Sequence, residues 1–344
     1  MRYKILGRTN LRVSEIGFGA IQFARIPLKE SIDLVRQAYE EGINFIDTAH
    51  MYPDSEHILG KAIQGIRDSL IISSKSLSTD KKEFLSQLNT SLSRLGTDYI
   101  DIFMFHDASK KEKLDELADH GVIEALIEQK KQGKIRHIGF SCHNPEIIEN
   151  YYSLRDFSVI MMPTNFVALE FLQDSIYRRL VDNNIGILGM KPLGGGRLDD
   201  AGLCLRFLKQ YDHIIPVVGM ESLLQIKQNI AHMGNEQTLN KQDLEKISSI
   251  RKELGDRFCR GCRYCMPCPQ GIDIYELNFL KVVYDQFPIH EYLTRKRTEA
   301  VKQLDDCTQC GQCEEQCPYG LDIVDMMSEN RDFYFKKLKQ YGKC

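Results

Sequence analysis

An α/β fold, a closed (β/α)8 TIM barrel followed by a smaller and mainly helical C-terminal domain, is what the sequence predicts, and three observations carry that expectation. Eight short apolar runs, SEIGFGAI, INFIDTA, LIISSK, YIDIFMFH, IRHIGFS, VIMMPTNF, IGILGMKP and IIPVVGM, alternate with helix-like windows up to about residue 250. The runs are apolar on both faces, as the strands of a parallel sheet covered by helices must be. From about residue 255 the composition changes abruptly, with a cysteine at every third position. The predicted domains are therefore residues 1–254 and 255–344.

In chain order, RYKILGRTNLRVS reads as a short hairpin ahead of the first barrel strand, able to plug the bottom of the barrel. SIDLVRQAYEEG repeats Ile32, Val35 and Ala38 at helical spacing and stops at Gly42. KEFLSQLNTSLSRLG places Leu85, Leu88, Leu92 and Leu95 on one stripe and ends at Gly96. Further helices fit residues 117–132, 172–183, 222–233 and 240–254. An open doubly wound sheet is the competing architecture, but it calls for a G-x-G-x-x-G turn, and Gly17-Phe18-Gly19 stands alone. In the second domain the segments IYELNFLKVVYDQF and HEYLTRKRTEAVKQL and a final polar stretch toward Lys339 read as helices.

The chain of 344 residues is 42% hydrophobic and 27% charged, with 45 Lys+Arg against 48 Asp+Glu and a net charge of −3. That balance gives no electrostatic footprint for nucleic acid. No stretch reaches the ~20 apolar residues that span a bilayer, and the segment MRYKILGRTN has no signal-like apolar core. A cytoplasmic protein without nucleic-acid or membrane partners is expected. In such a compartment the eleven cysteines need a role other than disulfides.

Eight of them form two groups. Cys307-x2-Cys310-x2-Cys313-x3-Cys317-Pro318 has the spacing of bacterial dicluster ferredoxins, in which three close thiolates hold one [4Fe–4S] cube and the fourth reaches the other. Cys259-x2-Cys262-x2-Cys265-x2-Cys268-Pro269 is one residue shorter before its last cysteine. Zinc is the competing metal, but it pairs two knuckles around one ion, and two runs of four exceed that need. The resemblance makes this a dicluster ferredoxin-like domain. It implies crossed wiring: Cys259, Cys262, Cys265 and Cys317 on one cluster, Cys307, Cys310, Cys313 and Cys268 on the other. Of the remaining three, Cys204 is expected in the core, Cys344 is a free thiol, and Cys142 either packs or lines a site.

Chemistry in a (β/α)8 barrel sits where strands end. Those ends carry Asp47 after INFI, Tyr52 five residues on, Lys75 closing LIISSK and His106 closing YIDIFMFH. A tyrosine can give a proton to a carbonyl oxygen receiving hydride, but its pKa of ~10 makes it reluctant near neutrality. A lysine ammonium beside it lowers that pKa, and Asp47 holds the lysine. His106 orients the carbonyl and stabilises charge on its oxygen. Taken singly, each is more often a structural residue; their conjunction on consecutive strand ends carries the argument.

With these residues the chain resembles the aldo-keto reductases, from YKILGRTNLRVSEIGFG through FIDTAHMY, SSK, MFH, GKIRHIGFS and PLGGG to IIPVVGM, over nearly all of residues 1–250. MKPLGGG together with the cysteine tail resembles the branch of that family with an appended iron–sulfur dicluster domain. The resemblance implies a nicotinamide-dependent carbonyl reductase or alcohol dehydrogenase, with Tyr52 as acid/base, Lys75 and Asp47 tuning it and His106 positioning a small carbonyl or alcohol. It also implies that Ser141, Lys191, Leu193, Gly195, Gly219, Glu221, Gln225 and Asn229 contact the cofactor, with Gly194, Gly195 and Gly196 turning backbone N–H groups to a pyrophosphate.

Three departures from the family bear on the cofactor. Met161 and Met190 stand where most members flank the nicotinamide with a glutamine and an aromatic ring. Cys142 follows Ser141 in place of an asparagine. Gly219, Glu221 and Gln225 replace the basic residues that receive a 2′-phosphate, which favours NADH over NADPH; Lys191 and Lys227 are the phosphate partners of the opposite reading. Two clusters exceed the needs of hydride transfer and imply single-electron exchange with a ferredoxin or another redox protein. The alternatives are clusters that serve only as structural staples, and a non-catalytic electron carrier that retains the barrel as a scaffold.

Overall fold

The computed structural model describes residues 1–109, 111–152, 157–173, 175–254, 257–261, 263–284, 289–317 and 319–341. Cys262 and Cys344 lie outside the described residues. The chain divides into two compact units, Met1–Leu193 with Leu198–Leu244, and Gly194–Arg197 with Glu245–Cys344.

The first unit is a closed barrel of eight parallel strands. A hairpin of β1 (Tyr3–Ile5) and β2 (Arg12–Ser14) precedes β3 (Gly17–Gly19), β4 (Phe45–Asp47), β5 (Ile71–Ser76), β6 (Ile100–Phe105), β7 (Ile135–Ser141), β8 (Phe157–Pro163), β9 (Gly186–Met190) and β10 (Ile214–Gly219). All eight apolar runs become strands, and β10 closes on β3 in parallel register. The hairpin plugs the barrel as expected. Leu6 and Val13 are buried with Phe45, Ile102, Met104 and Val159, and the Arg8 amide donates to Asn184 O just before β9.

The helix Leu28–Glu40 buries Ser31, Leu34, Val35 and Ala38. Ile32 is only half-buried, and Ser31 and Leu34 take its place on the buried face beside Val35 and Ala38. In Lys81–Leu95, Asp80 caps the start by accepting from the Glu83 amide at 2.8 Å, and Gly96 ends it at φ +62°. Phe84, rather than Leu85, completes the buried face. The expected helix over 117–132 is two, Lys111–Asp119 and Val122–Lys131, because Gly121 adopts φ +68° between them. The expected helix over 172–183 is described as Glu170–Gln173 and Ser175–Asp182, and Leu223–Gly234 and Lys241–Leu254 match the remaining two.

The second unit is mainly helical, with helices Ile274–Tyr284, Ile289–Tyr292, Arg295–Lys302 and Ile323–Tyr341. Thr294 splits the expected HEYLTRKRTEAVKQL helix by capping Arg295–Lys302, its hydroxyl accepting from the Arg297 amide at 3.2 Å. Leu277, Leu280, Tyr292, Val301, Met327 and Tyr334 are among its core residues. Among the described residues no helix is long and apolar enough to cross a membrane.

Candidate active site and cluster sites

Strand alternation builds the barrel site. Asp47 at the end of β4 pairs in register with Ser73 on β5, and Lys75, two residues on, points to the same side. Both side chains reach one carboxylate: Ser73 Oγ donates to Asp47 Oδ1 at 2.5 Å, and Lys75 Nζ donates to Oδ1 at 2.6 Å and Oδ2 at 2.7 Å. The third ammonium hydrogen goes to Thr48 O at 2.7 Å. Lys75 is thus fully bonded and only 1% exposed. Burial lowers its pKa, opposed by the Asp47 charge and hydrogen bond.

The loop after β4 continues the sheet ladder before turning back. Thr48 N donates to Ser73 O, His50 N to Lys75 O, and Tyr52 N to Ala49 O, at 2.9, 3.0 and 3.0 Å. This sets the Tyr52 ring beside the lysine, with Nζ 5.5 Å from its centroid. His106, just past β6, is fixed by its amide donating to Ser76 O at 2.8 Å, and its ring meets Tyr52 edge-on at 5.8 Å. The four residues therefore converge. His106 Nδ1 is buried without a hydrogen-bond partner among the described residues, a vacancy that a polar ligand would satisfy.

The electrostatics differ from the simple expectation. Desolvation first, and then the Asp47 carboxylate, push the Tyr52 pKa well above the ordinary tyrosine value; the carboxylate that holds the lysine also offsets its pull on the phenol. His106 is held well below the usual histidine pKa by burial and by the charges of Lys75, Lys113 and Lys191. It is neutral at pH 7.

The positions expected to meet a nicotinamide scatter over β7 to β10. Ser141 ends β7 and pairs in register with Met161, and its hydroxyl accepts from the Asp107 amide at 2.9 Å. Met161 and Met190 pack with the barrel core beside Leu188 and Ile215. Cys142 is fully buried and its thiol pKa is raised to about 12, so it packs rather than reacts. Cys204 is buried in the helix Ala201–Leu208, as expected. Lys191 has φ +54° and accepts from Asn165 Nδ2 at 3.1 Å through its carbonyl. The Leu193 carbonyl accepts from Leu198 N at 3.2 Å. Gly194, Gly195 and Gly196 adopt φ +59°, +71° and +92°, which glycine alone tolerates in succession; they group with the second unit. Gly219 lies under Gln22, whose Nε2 would be 2.6 Å from an added Cβ. The Glu221 amide donates to Gln225 Oε1 at 2.7 Å, Asn229 is buried on the helix Leu223–Gly234, and Lys227 pairs with Glu41 at 3.4 Å.

Sequence reasoning missed Ser73, the Thr48 carbonyl and Glu56. Ser74 faces away from Ser73 and donates to the buried Glu56 at 2.6 Å, tying the helix Ser55–Ala62, which follows Tyr52, to β5. Arg94 and His50 lie 3.4 and 3.8 Å from the same carboxylate. The polar run Ser73-Ser74-Lys75-Ser76 inside a buried strand was the available signal.

In the second unit the cysteines ring two cavities of about 390 and 360 Å³, both open to solvent. Cys268, Cys307, Cys310 and Cys313 line the first and Cys259 and Cys317 the second, while Cys265 borders both. The first cavity thus takes Cys265 and Cys268 from the earlier sequence group, and the second takes Cys317 from the later one. Cysteine sulfurs spread around a cavity, with apolar walls such as Ile272 and Ile323, fit an inorganic cube.

Comparison with known proteins bears on both units. Residues 15–202 match the Aldo/keto reductase family and residues 258–322 the 4Fe-4S dicluster domain. An uncharacterized oxidoreductase, YqkF of Bacillus subtilis, is 30% identical over 217 residues, covering 59% of this chain and 68% of that protein. A crystal structure of a putative aldo-keto reductase from Pseudomonas aeruginosa is 28% identical with TM-score 0.60, covering 67% of this chain and 94% of the other. An aldo/keto reductase from Klebsiella pneumoniae, solved with NADP and acetate, shares the fold at 21% identity and TM-score 0.62, over 73% of this chain and 96% of that one.

Proposed function

The chain belongs to the aldo/keto reductase family and carries a 4Fe-4S dicluster domain, and from that membership we propose an oxidoreductase that reduces a small carbonyl, or oxidises the matching alcohol, with a nicotinamide cofactor, while two [4Fe–4S] clusters exchange single electrons with a ferredoxin or another redox protein. The observation that carries this reading is the buried Lys75–Asp47 pair at 2.6 Å, set beside Tyr52 and His106. When bound, the nicotinamide supplies hydride and the clusters supply one-electron capacity. The chain's own residues do the rest.

His106, neutral through burial, donates a hydrogen bond to the carbonyl oxygen and fixes its position. Tyr52 passes its hydroxyl proton to that oxygen as negative charge builds there. Its raised pKa keeps the proton in place at neutral pH, which suits the reducing direction. Lys75, held by Asp47 and Thr48, then stabilises the phenolate left behind.

We assign the cofactor to NADH. Glu221 opens the stretch after β10, and Lys227, the basic residue nearest it in sequence, is paired with Glu41. The cluster ligands are Cys259, Cys262, Cys265 and Cys317 for one, and Cys268, Cys307, Cys310 and Cys313 for the other; a reducing cytoplasm suits them. A staple role for the clusters has one observation in its favour: Cys259, Cys265, Cys268, Cys307, Cys313 and Cys317 pack against the second unit's apolar core. The test is anaerobic turnover of the iron-loaded protein with a panel of aldehydes and ketones and each nicotinamide. Carbonyl-dependent oxidation, faster with NADH, is expected. No consumption of either cofactor across the panel would overturn the reading.

A further inference from the structure

The two cysteine loops carry opposite charge. Residues 257–268 read RFCRGCRYCMPC, with Arg257, Arg260 and Arg263 interleaved among the cysteines and no acid. Residues 305–317 read DDCTQCGQCEEQC, with Asp305, Asp306, Glu314 and Glu315 flanking the cysteines and no base. The fold preserves the contrast. Arg260 and Arg263 stand in the wall of the cavity bordered by Cys259 and Cys317, stacked on Tyr319 and Tyr275 at 3.8 and 4.2 Å. Arg197, at the end of the glycine run, lies over Phe258 at 4.4 Å and donates to Cys259 O at 3.0 Å. Arg257 is partly offset by Glu329 at 2.9 Å. The cavity bordered by Cys268, Cys307, Cys310 and Cys313 has no charged residue in its wall. Glu314 beside it accepts from Val324 N at 3.0 Å, and Asp305 pairs with Arg331 at 3.0 Å.

We propose that this asymmetry separates the two clusters in potential, so that the Cys259/Cys317 site keeps the electron and the Cys268/Cys307/Cys310/Cys313 site passes it on. The proposal rests on the reading that both cysteine sets hold [4Fe–4S] clusters. Adding one electron to a thiolate-ligated cube raises its negative charge by one. Guanidinium groups in the wall stabilise that added charge and raise the potential, and carboxylates lower it. The exposed Cys310 acts the other way, since water also stabilises the reduced state; the guanidinium charges in the wall of one cavity, against an uncharged wall with Glu314 beside it at the other, outweigh it. The electron comes from a one-electron carrier protein, moves from the acidic site to the arginine site, and no proton need move with it.

The experiment is a potentiometric titration of the full, iron-loaded chain under anaerobic conditions, with the spin signal of each reduced cluster followed by EPR. Two separate one-electron steps are expected, at least a tenfold difference in reduced-to-oxidised ratio apart, which is 59 mV. Arg260→Gln with Arg263→Gln should move the higher step down by about tenfold in that ratio and leave the lower one in place. Arg260→Lys with Arg263→Lys should restore it, which a purely structural role of the arginines would not predict. If the glutamine variant fails to hold iron, Glu314→Gln with Glu315→Gln provides the same test with opposite sign, raising the lower step alone. Both clusters titrating together, or variants that move both steps equally or neither, would overturn the proposal. Carbonyl turnover is read separately, so its loss or survival does not bear on this outcome.

Discussion

Replacing Asp47 with asparagine strips a buried ammonium of its countercharge while preserving shape. Lys75 is 1% exposed and lies 2.6 Å from the carboxylate. At an effective dielectric of about 20 that separation corresponds to a gross attraction of roughly 6 kcal/mol, and removing one partner of a buried pair typically costs roughly 3–5 kcal/mol net. Part of this is relieved if the lysine sheds its proton, and that gives the variant a pH signature. Burial already lowers the Lys75 pKa and Asp47 opposes the shift, so Asp47→Asn lowers it further. Between that folded value and the unfolded ~10.4 the unfolded chain binds more protons, so stability rises with pH, by up to about 1.4 kcal/mol per unit. Urea unfolding of the barrel at pH 7 and pH 9.5 should therefore show a loss of about 3 kcal/mol that shrinks at the higher pH. A loss below about 1 kcal/mol at pH 7, with no steeper pH dependence than wild type, would refute this account of the pair.

Carbonyl reduction should be flat through the ordinary histidine range: His106 has its pKa well below 6.5 and stays neutral, while Tyr52 is raised and stays protonated; a rate that halves as pH falls through 6.5 would contradict the His106 assignment, and one that halves as pH rises through it the Tyr52 assignment. Glu56→Ala should cost roughly 2–4 kcal/mol, because it leaves Ser74 without its acceptor and Arg94 without its carboxylate. Glu56→Gln, which keeps an acceptor for Ser74, should cost less when the two are compared by chemical denaturation. Removing iron anaerobically with a chelator should unfold the second unit, since its cysteines pack against its core; hydrogen exchange is expected to rise over residues 257–341 and stay unchanged in β4 to β6.

What the sequence revealed, and what it hid, follows physical lines. Strands buried on both faces leave unbroken apolar runs, so all eight barrel strands could be read directly. Helix ends were less visible, because Gly121 and Thr294 interrupt patterns that periodicity alone continues. That Asp47, Tyr52, Lys75 and His106 come together was legible because all four sit at or just past strand ends on one side of the barrel. The Ser73 hydroxyl and the Thr48 carbonyl were not, because they act through register and backbone. The sign of the Tyr52 shift was also missed: the sequence argument weighed Lys75 against the phenol but neither the desolvation nor the Asp47 charge opposing it. Crossed cysteine grouping was legible only through resemblance; Cys268 shares a cavity wall with Cys307, Cys310 and Cys313 and Cys317 shares one with Cys259, while Cys265 borders both.

The most direct test of the central claim is a comparison of wild type and Tyr52→Phe, iron-loaded and anaerobic, in single-turnover oxidation of bound reduced nicotinamide by a carbonyl that the wild type accepts. Loss of the proton donor should slow that step by at least ~10²-fold with nicotinamide binding unchanged. A phenylalanine variant that turns over at the wild-type rate would show that the proton comes from elsewhere, and the assignment of chemistry to Asp47, Tyr52, Lys75 and His106 would fall.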